Sequence, residues 1–149
     1  MASEKCYVLI PGAGGVPWLW HRVAAELRHH GHDVVAVDLP NDDPAAGLAE
    51  YADAVVRAAR GRTGVVLIAH SLGGFTAPLV CGRIPVERMV LVAAMPPAPG
   101  EWWENTGHGA APAERERLGI EPEEMDGGHV PLLSRPRELA ERVMRLSGG

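Results

Sequence analysis

The sequence predicts an α/β fold, a minimal parallel sheet of about five strands with helices on both faces. Three observations predict it. Short runs such as Tyr7-Val8-Leu9-Ile10 and Val65-Val66-Leu67-Ile68-Ala69 are apolar throughout rather than alternating, as strands covered on two sides are. Segments of helical periodicity alternate with those runs. Each parallel strand then needs a crossover that returns the chain, and the helices supply it. The 149 residues suit a single domain, 1–149, and are too few for two.

The elements follow in order. Tyr7 to Ile10 is a buried strand that empties into Pro11-Gly12-Ala13-Gly14-Gly15. From Trp18 to about His30, Leu19, Val23, Ala24 and Leu27 recur at helical spacing, and Gly31 is placed as the stop. Val34 to Val37 is the second strand. Asp38-Leu39-Pro40-Asn41-Asp42-Asp43-Pro44 is dense in turn formers, and helical periodicity resumes from Leu48 to Arg60, before Gly61. Val65 to Ala69 is the most apolar strand, Leu72 to Cys81 a helix, and Arg88 to Ala94 a fourth strand. After Ala94 the pattern breaks: residues 95–110 are rich in Pro, Gly, Trp and Glu. Pro112 to Leu118 is expected as a short helix, Ile120 to Met125 as a weak strand, and Pro136 to Leu146 as a closing amphipathic helix.

Composition narrows the function classes. A formal charge of -5 and the single lysine, Lys5, leave no basic footprint, so nucleic acid is not the expected partner. No apolar stretch approaches the roughly 20 residues that span a bilayer, and the start reads as strand rather than leader. The expectation is a soluble cytoplasmic protein without a membrane partner. Cys6 and Cys81 each sit in an apolar run, which suits buried thiols better than a disulfide or a redox pair.

Ala69-His70-Ser71-Leu72-Gly73 carries the chemistry. A serine between small residues, after an apolar strand and before a helix, matches the elbow that exposes a strained nucleophile. Alanine serves at the first small position because size is what matters there. The bland alternative is a serine that only caps a helix. Acyl transfer also needs backbone N–H groups aimed at the developing oxyanion. Leu72, the residue after the nucleophile, offers one, and the loop after the first strand offers the second, with Ala13 foremost.

That glycine loop has a rival reading. Gly12-x-Gly14 after a strand, with Asp38 ending the next, resembles a dinucleotide fingerprint, but the third glycine position holds Pro17. No cofactor is therefore expected. For a general base, His129 is preferred among seven histidines, since it lies in a Gly-rich loop at the carboxyl end of the sheet. His70 points away from the serine by strand alternation. His29, His30 and His32 flank a helix end and read as surface residues; no cysteine or carboxylate completes a metal set there. No metal is expected.

Together, Pro11-Gly12-Ala13-Gly14-Gly15 with Trp18 and Trp20, Asp38-Leu39-Pro40, Ala69-His70-Ser71-Leu72-Gly73-Gly74, and Asp126-Gly127-Gly128-His129 with Leu133-Ser134-Arg135-Pro136 resemble the α/β-hydrolase superfamily. The likeness is to its small esterase branch, which includes plant methylesterases and hydroxynitrile lyases, and it covers roughly residues 5–100 and 114–146. It implies a serine hydrolase that acts on small carboxylic esters through an acyl-enzyme at Ser71, with His129 as base. Family members carry a helical cap and an acid-bearing strand between the fourth strand and the histidine loop. The few residues here imply that this segment, between about 100 and 114, has been deleted. A replacement acid would come from Glu101, Glu104 or Asp126, with Glu101 first because some members place the acid after the fourth strand. The lyase branch uses a lysine near the site, whereas Lys5 starts a strand at the opposite end from Ser71. With the cap gone, Trp102 and Trp103 lose cover, and a homodimer with an exchanged C-terminal strand or helix is expected. The rival from another class is a catalytically impaired scaffold that serves binding or assembly.

Overall fold

The computed structural model describes residues 4–94, 116, 119 and 122–148. Four strands form one parallel sheet among them: β1 (Cys6–Ile10), β2 (Asp33–Ala36), β3 (Val65–His70) and β4 (Arg88–Val92), in the order β2-β1-β3-β4. The α/β class is as the apolar runs predict. Registers are continuous, with Ile10 opposite Ala69 and His70 opposite Val92, so the strands end level at one side of the sheet.

A 3-10 turn at Pro17–Trp20 leads into α1 (His21–His29), and α2 (Leu48–Ala58) and α3 (Gly73–Cys81) follow in the two later crossovers. Near the C-terminus a short helix α4 (Pro131–Ser134) precedes α5 (Pro136–Leu146). Strand alternation divides the core into two layers. Tyr7, Leu9, Val66 and Ile68 pack against Trp20, Val23 and Leu27 and against Leu139 and Val143 of α5. Cys6, Val8, Ile10, Val65, Leu67 and Ala69 face Val55 of α2 and Ala77 and Val80 of α3. Both faces of β1 and β3 are thus covered, which is why these strands carry no polar alternation.

Three expectations are corrected. Residues 122–125 form no strand: Pro122 has no N–H to give a ladder, and the polar groups that follow go to α5 instead. Arg142 donates to the Glu124 carbonyl at 2.9 Å and, with Arg145, holds the Glu123 carboxylate. His32 is buried rather than on the surface, edge-on to Tyr7 with ring centroids 5.1 Å apart and accepting from the Lys5 N–H. Cys81 is exposed, since the last residue of α3 turns away from the sheet, whereas Cys6 is buried; both thiols are free. Of the helix expected over Pro112 to Leu118 only Glu116 is described, in helical conformation; the rest of it, the shortened segment and Trp102 and Trp103 lie outside the described residues. No helix among the described residues is long and apolar enough to cross a membrane.

Candidate active site

The sheet order sets where a site can form. From β1 the chain steps by α1 to β2 on one side, and from β2 it passes by α2 to β3 on the other side of β1. The carboxyl ends of β1 and β3 therefore send their loops in opposite directions and leave a crevice between them. Pro11 to Gly15 leaves β1 there, and Ser71 leaves β3 there.

Ser71 has φ 52, a left-handed conformation that costs a non-glycine residue about 1–2 kcal/mol. The surrounding backbone imposes it. The Ser71 N–H donates to the Val92 carbonyl at 3.1 Å, tying the turn to the end of β4, while the Ser71 carbonyl accepts from Gly74 at 3.1 Å as α3 begins. Gly73 brings that helix against β1 so closely that a Cβ on it would stand 3.0 Å from the Pro11 carbonyl oxygen. This is the physical content of the small-residue rule at that position.

The glycine loop is held from outside. It closes on itself through Gly15 N–H to the Gly12 carbonyl at 3.1 Å. Asn41 then donates from Nδ2 to the Gly15 carbonyl at 2.8 Å and accepts from the Tyr51 hydroxyl at 3.2 Å. Among the described residues no backbone carbonyl accepts from the Ala13 or Leu72 N–H.

His129 comes from the other end of the chain. Its Nε2 lies 3.0 Å from the Ser71 Oγ, across 58 positions of sequence. The loop that delivers it includes Gly127 at φ 140 and Gly128 at φ 66, and Ser134 of α4 donates to the Gly127 carbonyl at 2.9 Å. His70 is buried beside it, with Nε2 2.7 Å from the His129 carbonyl oxygen and the two rings 5.1 Å apart. Burial, and to a smaller extent the neighbouring His129, lower the pKa of His70, against the raising effect of its bond to the carbonyl.

The structure thus brings Ser71, His129 and the loop that holds Ala13 to one place, with Leu72 heading α3 beside them. Glu101 and Glu104 lie outside the described residues, and Asp126 is exposed three residues before His129. A groove of about 580 Å3, lined among others by Gly64, Val65 and Glu87, lies at the other end of the sheet, where β3 and β4 begin, so this site is located by its loops rather than by that groove. Among the described residues no cluster of His, Cys, Asp or Glu is built to hold a metal ion.

A family model described as the alpha/beta hydrolase family matches residues 7–122. The chain belongs to that family. This alpha/beta hydrolase is 38% identical over 110 residues to a probable esterase, PIR7A, of Oryza sativa subsp. indica, covering 65% of this chain and 41% of that protein. It is 33% identical over 108 residues to Methylesterase 7 of Arabidopsis thaliana, covering 64% of this chain and 42% of that protein. The chain therefore spans 41 to 42% of the length of these two curated relatives. A pyrethroid hydrolase from Sphingobium faniae JZ-2 superposes with a TM-score of 0.75 at 19% identity, over 97% of this chain and 98% of that one, a likeness of fold. The resemblance to the plant esterase branch stands.

Two contributors to the site were missed in the sequence. Asn41 was one turn former among several, and its bond to Gly15 joins loops 26 positions apart. The sequence sets His70 aside as a base and offers no partner for it; in the structure its Nε2 meets the His129 carbonyl. The available signal was strand alternation, which puts His70 on the face of Val66 and Ile68 and hence toward the C-terminal helices.

Proposed function

We propose that this alpha/beta hydrolase is a serine esterase for small carboxylic esters, with Ser71 as nucleophile and His129 as general base. The observation that carries the reading is the 3.0 Å contact between Ser71 Oγ and His129 Nε2, made by a serine held in a left-handed turn. Within that reading Nε2 accepts the Oγ–H, so the ring's own proton stays on Nδ1.

As Oγ attacks the ester carbonyl, its proton passes to Nε2, and the carbonyl oxygen gathers negative charge. The N–H groups of Leu72 and Ala13 stabilise that oxygen, with the positive end of α3 behind them. Collapse expels the alcohol, which takes the proton from Nε2 and leaves an acyl group on Ser71. Water then repeats the sequence: it gives a proton to Nε2, attacks the acyl carbon and releases the carboxylic acid, and the proton returns to Oγ. A carboxylate on Nδ1 would steady the charged ring, and losing such a group costs up to about 10⁴ in turnover while the oxyanion donors still act. Glu101 is the proposed source.

The relatives named as esterases support the substrate class. The test is labelling with a fluorophosphonate together with hydrolysis of p-nitrophenyl acetate. Ser71→Ala is expected to lose labelling and at least about a thousandfold in kcat with the fold retained. Labelling or turnover that survives Ser71→Ala, or a wild-type protein that is never labelled, rejects the esterase in favour of a non-catalytic scaffold.

A further inference from the structure

We infer that His70 is a positioning residue for the base: through its bond to the His129 carbonyl it fixes where the His129 imidazole stands over Ser71. The inference rests on the esterase reading of Ser71 and His129.

The base and the nucleophile come from segments 58 positions apart. The base loop carries two residues of positive φ and forms no ladder with the sheet. A base delivered that way is placed by whatever grips its backbone. Among the described residues, one grip comes from within the C-terminal segment, Ser134 on the Gly127 carbonyl at 2.9 Å. Another comes from the sheet: His70, the residue directly before the nucleophile, at 2.7 Å from the His129 carbonyl.

Two adjacent residues of β3 and its elbow thus hold His129 at two points. Ser71 meets the imidazole and His70 meets the carbonyl of the same residue. The geometry between Oγ and Nε2 is closed through one ring of neighbouring groups, rather than through all the intervening chain. Reacting groups misplaced by about 1 Å can lose a hundredfold in rate, which is the scale of what such a tie protects.

The surroundings of His70 fit the task. Strand alternation turns it to the face of Val66 and Ile68, where it is 6% exposed and the Trp20 indole packs edge-on at 6.3 Å between ring centroids. A carbonyl oxygen can only accept, so Nε2 must carry the hydrogen. A neutral ring then has a bare Nδ1, and this side lies toward the oxyanion loop: a Cβ on Gly12 would come 3.5 Å from it. One buried ring therefore touches the base loop with one nitrogen and faces the glycine loop with the other. Burial favours the neutral ring, so the donor is the Nε2–H tautomer.

The experiment compares His70→Phe, which keeps a ring and removes the donor, with His70→Gln, which restores an N–H of similar reach. Measured are kcat and KM for p-nitrophenyl acetate, the rate of fluorophosphonate labelling at Ser71, and amide hydrogen exchange over residues 126–130. His70→Phe is expected to lower kcat and the labelling rate about 10- to 100-fold with KM changed less than about threefold, and to speed exchange in the loop. His70→Gln is expected to recover most of the rate and of the protection. Wild-type rates and exchange in His70→Phe overturn the inference while leaving the esterase reading intact, and so does a His70→Gln variant as impaired as His70→Phe. A wild-type protein that is not labelled at Ser71 rejects the esterase reading itself, and the inference falls with it.

Discussion

Gly12 passes so close to Ser71 that a Cβ on it would stand 2.9 Å from the serine Cβ and 3.2 Å from the His70 carbonyl oxygen. Both neighbours are fixed parts of the β3 elbow, so neither can yield cheaply. Gly12→Ala is expected to push the glycine loop, the proposed source of an oxyanion donor, off the serine. The expected outcome is a kcat lowered at least tenfold and a fold destabilised by about 1–3 kcal/mol, the usual range for overpacking. Urea unfolding and ester kinetics on the same preparation check both; an alanine variant with wild-type kcat would mean that the loop takes no part in catalysis.

Asn41 is expected to matter through the same loop. Asn41→Ala removes the donor to the Gly15 carbonyl and the acceptor for the Tyr51 hydroxyl. Stability should fall by about 1–2 kcal/mol, and kcat should fall several-fold as the Ala13 N–H loses its placement. Tyr51→Phe, which leaves the Asn41 bond to Gly15 in place, should cost less than Asn41→Ala on both measures. Reversal of that order would sink the loop-support role.

Stability should decline in mild acid. His70 and His32 are both buried, and desolvation holds each below the ordinary histidine value. Between the folded pKa and the unfolded value near about 6.5, the unfolded chain binds more protons, so stability rises with pH across that window and is lost as pH falls through it. The urea midpoint is expected to drop from pH 7 to pH 5, and His70→Phe should flatten part of that drop. A midpoint independent of pH in the wild-type protein would show that neither ring is buried neutral.

The two thiols should react unequally. Burial, with the Asp33 carboxylate adding to it, pushes the Cys6 thiol up to about 11; partial burial raises the Cys81 thiol as well, but Cys81 is exposed and open to reagent. Ellman's reagent at pH 8 is expected to titrate one thiol in the native protein and two in denaturant. Loss of the fast thiol in Cys81→Ser assigns it; persistence of that thiol would put Cys6 at the surface.

Most of the scaffold was legible because the apolar runs and the helical periods are local signals. The strands at Tyr7–Ile10, Val65–Ala69 and Arg88–Ala94 and the helix at Pro136–Leu146 were all placed within a residue or two of where they form. That residues 122–125 form no strand was not legible. Arg142 and Arg145 of α5 take up the polar groups of Glu123 and Glu124, and those partners are remote in sequence. His32 was misplaced for a similar reason, since its burial comes from Tyr7 and Lys5 on β1.

The sequence by itself determined which residues had to be small or apolar, Gly73 beside the elbow and Val66 and Ile68 in the sheet, and it singled out Ser71 between strand and helix. Those demands are local, set by backbone sterics and by period. Only the tertiary structure decided that β3 lies on the far side of β1 from β2, which opens the crevice. Only it brought His129 Nε2 to 3.0 Å from Ser71 Oγ and gave His70 the His129 carbonyl. Hydrogen bonds act over a few ångströms and are blind to chain separation, so partners 58 or 59 positions apart leave no periodic mark in the sequence.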